Sequence, residues 1–218
     1  AALGMIPEGA EKFPEEIRGL HFVGFKGMYA GPVEEGKRLM APLRRLAEPL
    51  VDGSQVLPYV KAQQVGDARL PAGEMRHYWK AVNLMELSDA AIERIVDYHR
   101  RQPAEQNRIT LVPVRGAAAR VGDDETAFYG RKVDSQALIT ADWRAPADDE
   151  ANIAWARGVA ADLGAFSDGS RYLNFSSGEG DAAPQAAFGP GYSRLAQLKR
   201  KYDPTNFLRL NQNIKPAS

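Results

Sequence analysis

An α+β fold, with an antiparallel β-sheet and helices packed mainly on one face, is the class this sequence predicts. Three observations carry it. Strand-like and amphipathic helical runs alternate along the chain, which places α and β elements in one layered domain. The strands are short and polar on one side, whereas parallel strands covered by helices on both faces read as continuous apolar runs. With 218 residues, 44% apolar and 26% charged, the chain is long enough to bury a core and has the composition of a globular domain.

Residues 1–19, with Pro7, Pro14 and several charges, read as a linker or the tail of a preceding element. Residues 20–29 (LHFVGFKGMY) read as a strand with His21, Val23, Phe25 and Tyr29 on one face and Phe22 and Met28 on the other. Apolar residues on both faces predict a central strand. Residues 33–48 read as a helix with Leu39, Leu43 and Leu46 on one stripe, kinked or broken at Pro42. Residues 55–60 are short and extended, and 63–75 are polar and aperiodic, hence loop.

Residues 76–84 (RHYWKAVNL) are ambiguous: His77, Tyr78 and Trp79 line a pocket or pack as core. Ser88 is an N-cap for a helix through Arg101, with Ile92, Ile95, Val96 and His99 inward; His99 there reads as a satisfied, half-buried histidine. Residues 107–115 read as a strand that 117–121 continue after Gly116, and the alanines 117–119 admit a large neighbour. Residues 135–143 (SQALITADW) alternate as a strand should. A helix over 148–163 turns Ile153, Ala156, Val159, Ala160 and Leu163 inward, with Asp148, Asp149 and Glu150 at its positive end. A short strand over 172–175, a loop over 176–189 with solvated Glu179 and Asp181, and a helix over 191–202 with Tyr192, Leu195, Leu198 and Tyr202 inward complete the order. Two strand–helix units of similar size occur without a convincing repeat.

Lys and Arg equal Asp and Glu at 28 each, so the basic surplus that nucleic acid or an anionic membrane requires is absent. The chain has no cysteine, which removes disulfides, thiol nucleophiles and zinc–thiolate sites and fits a cytoplasmic setting. No apolar run reaches the length of a membrane span. No signal peptide is visible, although the chain opens on Ala1 and a region upstream is expected. His21, His77 and His99 are scattered, no pair has metal-ligand spacing, and no Ser/His/acid constellation has local support. Redox chemistry on a bound cofactor remains, with protein groups orienting and tuning it.

The C-terminal stretch 171–216 crowds Asn174, Gln185, Asn206, Asn211, Gln212 and Asn213. Carboxamides offer donors and acceptors without charge, which suits a neutral heteroaromatic ring; they also populate ordinary turns. The runs YLNF (172–175) and YDPTNFLRLNQNIKP (202–216), with a tyrosine-bearing helix between them, resemble the C-terminal signature of the berberine-bridge-enzyme-like FAD-linked oxidases, flavoproteins of the vanillyl-alcohol-oxidase type. GPVEEG (31–36), GAAARV (116–121), TAF (126–128), DWR (142–144) and DEANIAWAR (149–157) look like the same family, so the resemblance runs from about His21 to Pro216.

That resemblance implies FAD, a substrate-binding domain over 20–170, a C-terminal flavin-contacting segment over 171–218, and 1–19 as linker or tail of a missing N-terminal FAD-binding domain. It implies hydride transfer from a sugar, alcohol or secondary metabolite to flavin. It also implies flavin contacts from Tyr172, Asn174, Asn206, Asn211, Gln212 and Asn213, and substrate contacts from Tyr78, Arg120, Phe128, Arg131 and Phe175. Two positions depart from the family. Phe175 stands where several members have a catalytic tyrosine and has no hydroxyl, which leaves Tyr172, Tyr129 or Tyr78 as candidate proton acceptors. Gly130 stands where a histidine usually precedes the arginine, which enlarges or neutralises that corner of the pocket. The expected partners are a small-molecule substrate and an FAD-binding domain in cis or trans; the chain alone is expected to be inactive. A non-enzymatic binding or dimerising module and one subunit of a split flavoenzyme stay open beside this reading.

Overall fold

The structure, a computed structural model, describes residues 1–67, 69–177, 183–210 and 212–218. In chain order its elements are β1 (Ala2–Met5), β2 (His21–Gly24), α1 (Val33–Met40), α2 (Tyr59–Gln63), β3 (Arg76–Leu84), α3 (Asp89–Arg100), β4 (Arg108–Pro113), α4 (Ala117–Arg120), β5 (Ser135–Trp143), α5 (Asp149–Leu163), α6 (Ala183–Phe188) and α7 (Tyr192–Tyr202). The strands form one antiparallel sheet in the order β2-β1-β4-β5-β3. The long pair β3/β5 runs in full register from Arg76 opposite Trp143 to Leu84 opposite Ser135.

Because side chains alternate across a strand, this register sorts the sheet into two chemically different faces. Val82 and Leu84 of β3, Ile109 of β4, Ala137, Ile139, Ala141 and Trp143 of β5 and Leu3 of β1 share one face and pack with Ile95 of α3 and Trp155, Ala156, Val159 and Leu163 of α5. The other face carries His77, Trp79, Asn83, Gln136, Thr140, Asp142 and Arg108, and loops rather than α3 or α5 lie over it. The helix-backed antiparallel sheet is the predicted fold class.

Helix α3 begins where predicted, the Ser88 hydroxyl accepting from the Ala91 backbone N–H. Its His99 is buried and doubly bonded. Gln102 donates its Nε2–H to the Ala104 carbonyl, which aims Oε1 at His99 Nδ1. His99 therefore donates from Nδ1 and accepts on Nε2 from His21 Nδ1 of β2, 3.0 Å away. Burial holds His99 below its ordinary 6.5, against the raising effect of Gln102, with His21 and Arg100 lowering it further. The unfolded chain thus binds a proton below pH 6.5 that the folded chain resists, so stability from this group is present above 6.5 and is lost as pH falls. Chemical denaturation across that range is expected to show stability falling with pH in the parent and a flatter profile in His99→Gln.

Several elements differ from the sequence expectation. The segment read as linker supplies β1, an inner strand between β2 and β4, with Leu3 and Ile6 buried. Strand β2 ends at Gly24 and lies at the sheet edge rather than the centre; Phe22 is apolar on the second face because it packs over Gly4 and beneath the Arg108 guanidinium. Helix α1 stops at Met40 and Leu43–Arg45 form a 3₁₀ turn after Pro42, which is the break expected at that proline. The Leu39, Leu43 and Leu46 stripe is exposed instead of core-facing. The predicted extended run near 55–60 instead leads through Pro58 into α2. Residues 117–120 form α4 instead of continuing the sheet, and 173–175 form a 3₁₀ turn rather than a strand. Within the predicted 176–189 loop, 183–188 are helical; Glu179 and Asp181 lie outside the described residues. In α7 the buried side is Ala196, while Leu198 and Tyr202 are exposed.

Candidate functional site

The free edge of β3 is occupied by residues 172–177. Ser177 donates its backbone N–H to the Trp79 carbonyl at 2.9 Å and accepts on Oγ from the Trp79 N–H, while Lys80 Nζ reaches the Ser177 carbonyl at 2.8 Å. Covering an edge this way satisfies ladder groups that would otherwise point outward. It also lays Phe175 on Trp79, stacked with centroids 5.2 Å apart. Tyr172 stacks on Phe175 at 5.9 Å, Phe128 meets Tyr172 edge-on at 5.9 Å, and His77 meets Trp79 edge-on at 5.6 Å. A continuous row, Phe128–Tyr172–Phe175–Trp79–His77, thus borders the polar face of the sheet. Arg131 closes its far end, its guanidinium 4.8 Å from the Phe128 ring centroid and bonded to the Ala118 carbonyl and Thr126 Oγ1.

Amides flank the row. Asn174 Nδ2 donates to the Tyr172 hydroxyl oxygen at 2.7 Å, and Gln212 Nε2 donates to the Ser176 carbonyl at 2.9 Å, tying the C-terminal tail to the 172–177 segment. Asn206, the one described non-glycine residue with positive φ (54°), follows the Asp203 cap, whose carboxylate takes the Phe207 and Leu208 N–H groups. Asn206 Oδ1 and Asn213 Oδ1 are buried without a hydrogen-bond partner, an unusual state for amide oxygens and one that a ligand donor relieves. The aromatic row, with the Asn174 and Gln212 amides beside it, fits a flat heteroaromatic ring that presents both N–H and carbonyl groups.

Beneath Trp79 lies Asp142, with no solvent exposure. Its Oδ1 accepts from His77 Nδ1 and Trp79 Nε1, both at 2.8 Å, and its Oδ2 lies 3.4 Å from Arg69. Its backbone N–H donates to Asn107 Oδ1 at 2.9 Å; Asn107 Nδ2 donates to Asn152 Oδ1 at 2.8 Å, and Asn152 Nδ2 to the Asp148 carbonyl. This chain of bonds connects the start of α5 to the aromatic row. Arg108, on the same face, is held below its usual range by burial first, then by Arg69, with Asp142 opposing.

Residues 171–215 match the family described as berberine and berberine like. The FAD-linked oxidoreductase YgaK of Bacillus subtilis is 29% identical over 210 residues, covering 94% of this chain and 45% of that protein. An FAD-linked oxidoreductase of Dictyostelium discoideum is 29% identical over 191 residues, 87% of this chain and 41% of that one. The chain is similar to berberine-like FAD-linked oxidoreductases. It spans less than half the length of these relatives. Among solved structures, the berberine-bridge-enzyme-like protein 28 of Arabidopsis thaliana superposes with a TM-score of 0.73 at 18% identity, over 100% of this chain and 49% of that one. A chitooligosaccharide oxidase does so at 0.63 and 19% identity, over 87% and 45%.

Of the residues the sequence singled out, the structure brings Tyr172, Asn174, Phe175, Phe128, Arg131 and Gln212 into the berberine-like segment or its immediate border. It does not bring Tyr78: by strand alternation this ring faces the helices, its hydroxyl accepting from Arg157 Nε at 3.0 Å. A cavity of about 300 Å³ on that side, lined by Lys80, Arg157, Ala160, Ser167, Ser170 and Arg171 among others, includes no member of the row. Tyr129 packs against Gly189, and Arg120 is exposed at the end of α4. Asn211 lies outside the described residues. The Gly130 corner is not enlarged: a Cβ there would stand 2.6 Å from Asn83 Nδ2, and φ is +86°, so the buried amide fills the space and glycine is required. The residues that sequence reasoning left undecided are His77 and Trp79; the missed ones are Asp142 as a buried anchor and Asn107.

Proposed function

We propose that this chain is the substrate-binding and flavin-covering part of an FAD-dependent oxidoreductase that oxidises a sugar, an alcohol or a secondary metabolite. The continuous aromatic row, with neutral amides beside it and the C-terminal tail bonded to it through Gln212, is the observation that carries this reading. FAD, when bound, supplies the hydride acceptor. Tyr172, Asn174, Gln212 and the buried acceptors of Asn206 and Asn213 hold the ring's polar edge, with Asn211 assigned to the same segment. Phe175 and Phe128 give the substrate an apolar stacking surface, and Arg131, fixed by two bonds, pairs with its oxygens; Arg120 flanks the entrance. Tyr172, whose oxygen already accepts from Asn174, keeps its own O–H free to donate to the substrate; Tyr129 stands further back against Gly189.

The partner surface follows from what is exposed. Leu39, Leu43, Leu46, Leu50, Val51, Val56, Tyr59, Val60 and Val65 are all substantially exposed, as are Phe207 (81%), Leu208 (71%) and Leu210 (88%) in the berberine-like tail. Apolar exposure on this scale marks a surface that another protein surface covers, and an FAD-binding domain, in cis or trans, is the partner proposed here.

The experiment is the visible spectrum of the purified chain, alone and joined to an FAD-binding domain of the kind its relatives carry. A colourless chain that turns yellow in the joined form, with flavin bleached on adding chitobiose or glucose under anaerobic conditions, is the expected result. No flavin uptake in either form, with self-association instead, would favour a dimerising module.

A further inference from the structure

We propose that His77, held by Asp142, is the proton acceptor of this site, resting on the flavoenzyme reading above. Phe175 has no hydroxyl, so the berberine-like segment needs a base from elsewhere. His77 stands at the end of the aromatic row, its ring 5.6 Å from Trp79, with 42% of its side chain exposed. The other partner of the pair is fully buried. A carboxylate offers only acceptors, so the 2.8 Å contact between Asp142 Oδ1 and His77 Nδ1 requires hydrogen on Nδ1 and, in the neutral ring, leaves the lone pair on Nε2. Asp142 itself is fixed by Trp79 Nε1–H, by Arg69 and by the Asn107 bond to its backbone. The ring is therefore aimed and its tautomer set before any substrate arrives, the same division of labour that a buried acid and histidine show in other proton-transfer sites.

For an alcohol lying on Trp79 and Phe175, the step balances as follows. His77 Nε2 would take the O–H proton as the carbinol C–H bond breaks and a C=O double bond forms, and FAD, when bound, would supply the two-electron acceptor for the departing hydride. The product is an aldehyde, ketone or lactone, and His77 leaves the step as imidazolium.

The test has two readouts. On the full chain labelled with ¹⁵N-histidine, long-range ¹⁵N–¹H spectra are expected to show His77 as the Nδ1–H tautomer, with Asp142→Asn mixing the tautomers. With three histidines in the chain, loss of one set of signals in His77→Gln assigns the resonance. In the joined flavoprotein, His77→Gln keeps an N–H for Asp142; it is expected to leave thermal unfolding and flavin affinity unchanged while slowing anaerobic flavin reduction by chitobiose or glucose about 10²–10⁴-fold. An Nε2–H tautomer, or unchanged reduction in the variant, overturns the assignment to His77 alone. Absence of flavin reduction in the unaltered joined protein overturns the flavoenzyme reading, and this assignment with it.

Discussion

Asn107→Ala is expected to remove about 2–6 kcal/mol of folding stability, because it strands two buried groups at about 1–3 kcal/mol each. The Asn107 amide accepts the Asp142 backbone N–H and donates to Asn152, and both asparagines have no solvent exposure. Truncation leaves an N–H of β5 and the Asn152 oxygen without partners in a place water does not reach. Asn152→Ala strands the buried Asn107 Nδ2 in turn, whereas the Asp148 carbonyl sits on an exposed residue that water reaches. The two losses share one bond, so the double variant is expected to cost less than the sum of the singles by about 0.5–3 kcal/mol. Urea unfolding of the four proteins reads the cycle directly; strict additivity would mean the two amides do not act as one network.

Asp142→Ala is the second large effect, expected at about 3 kcal/mol. It removes a charge-assisted acceptor, worth about 1.5–3 kcal/mol, from Trp79 Nε1–H and His77 Nδ1–H together. Relief of the cost of burying a carboxylate offsets part of this. Arg69 lies at 3.4 Å and is partly exposed, so water takes over its charge and it adds little. Asp142→Asn keeps the shape and one acceptor and should cost visibly less than alanine in the same denaturation experiment. Equal costs would assign the effect to packing rather than to the bonds.

Both residues show where sequence reasoning reached its limit. The alternation of Ala137, Ile139, Ala141 and Trp143 made β5 and its buried face legible, and the same pattern placed Asp142 on the opposite face without revealing that it is buried. In β3, three consecutive rings at 77–79 satisfy either parity, so only the register against β5 decides that Trp79 and His77 face the site and Tyr78 faces the helices. Strand β1 is four residues long and owes its existence to hydrogen bonds with β2 and β4, partners about 20 and 110 residues away. No local pattern encodes that pairing. The exposed Leu39–Leu43–Leu46 stripe has the spacing of a core face, and it is uncovered among the described residues; periodicity reports that a face is apolar, not what lies against it. The C-terminal signature was legible as motif, whereas the turn at 173–175, which lets Phe175 lie flat on Trp79, was not.

The central claim is that the aromatic row and the amide-bearing tail form one wall of a flavin's niche. Photolysis of the joined protein carrying an azido-substituted FAD, followed by peptide mass spectrometry, tests it most directly. Adducts on peptides containing 172–177 and 206–213 are the predicted result. Adducts confined to the helix side, on α3 or α5, would contradict it.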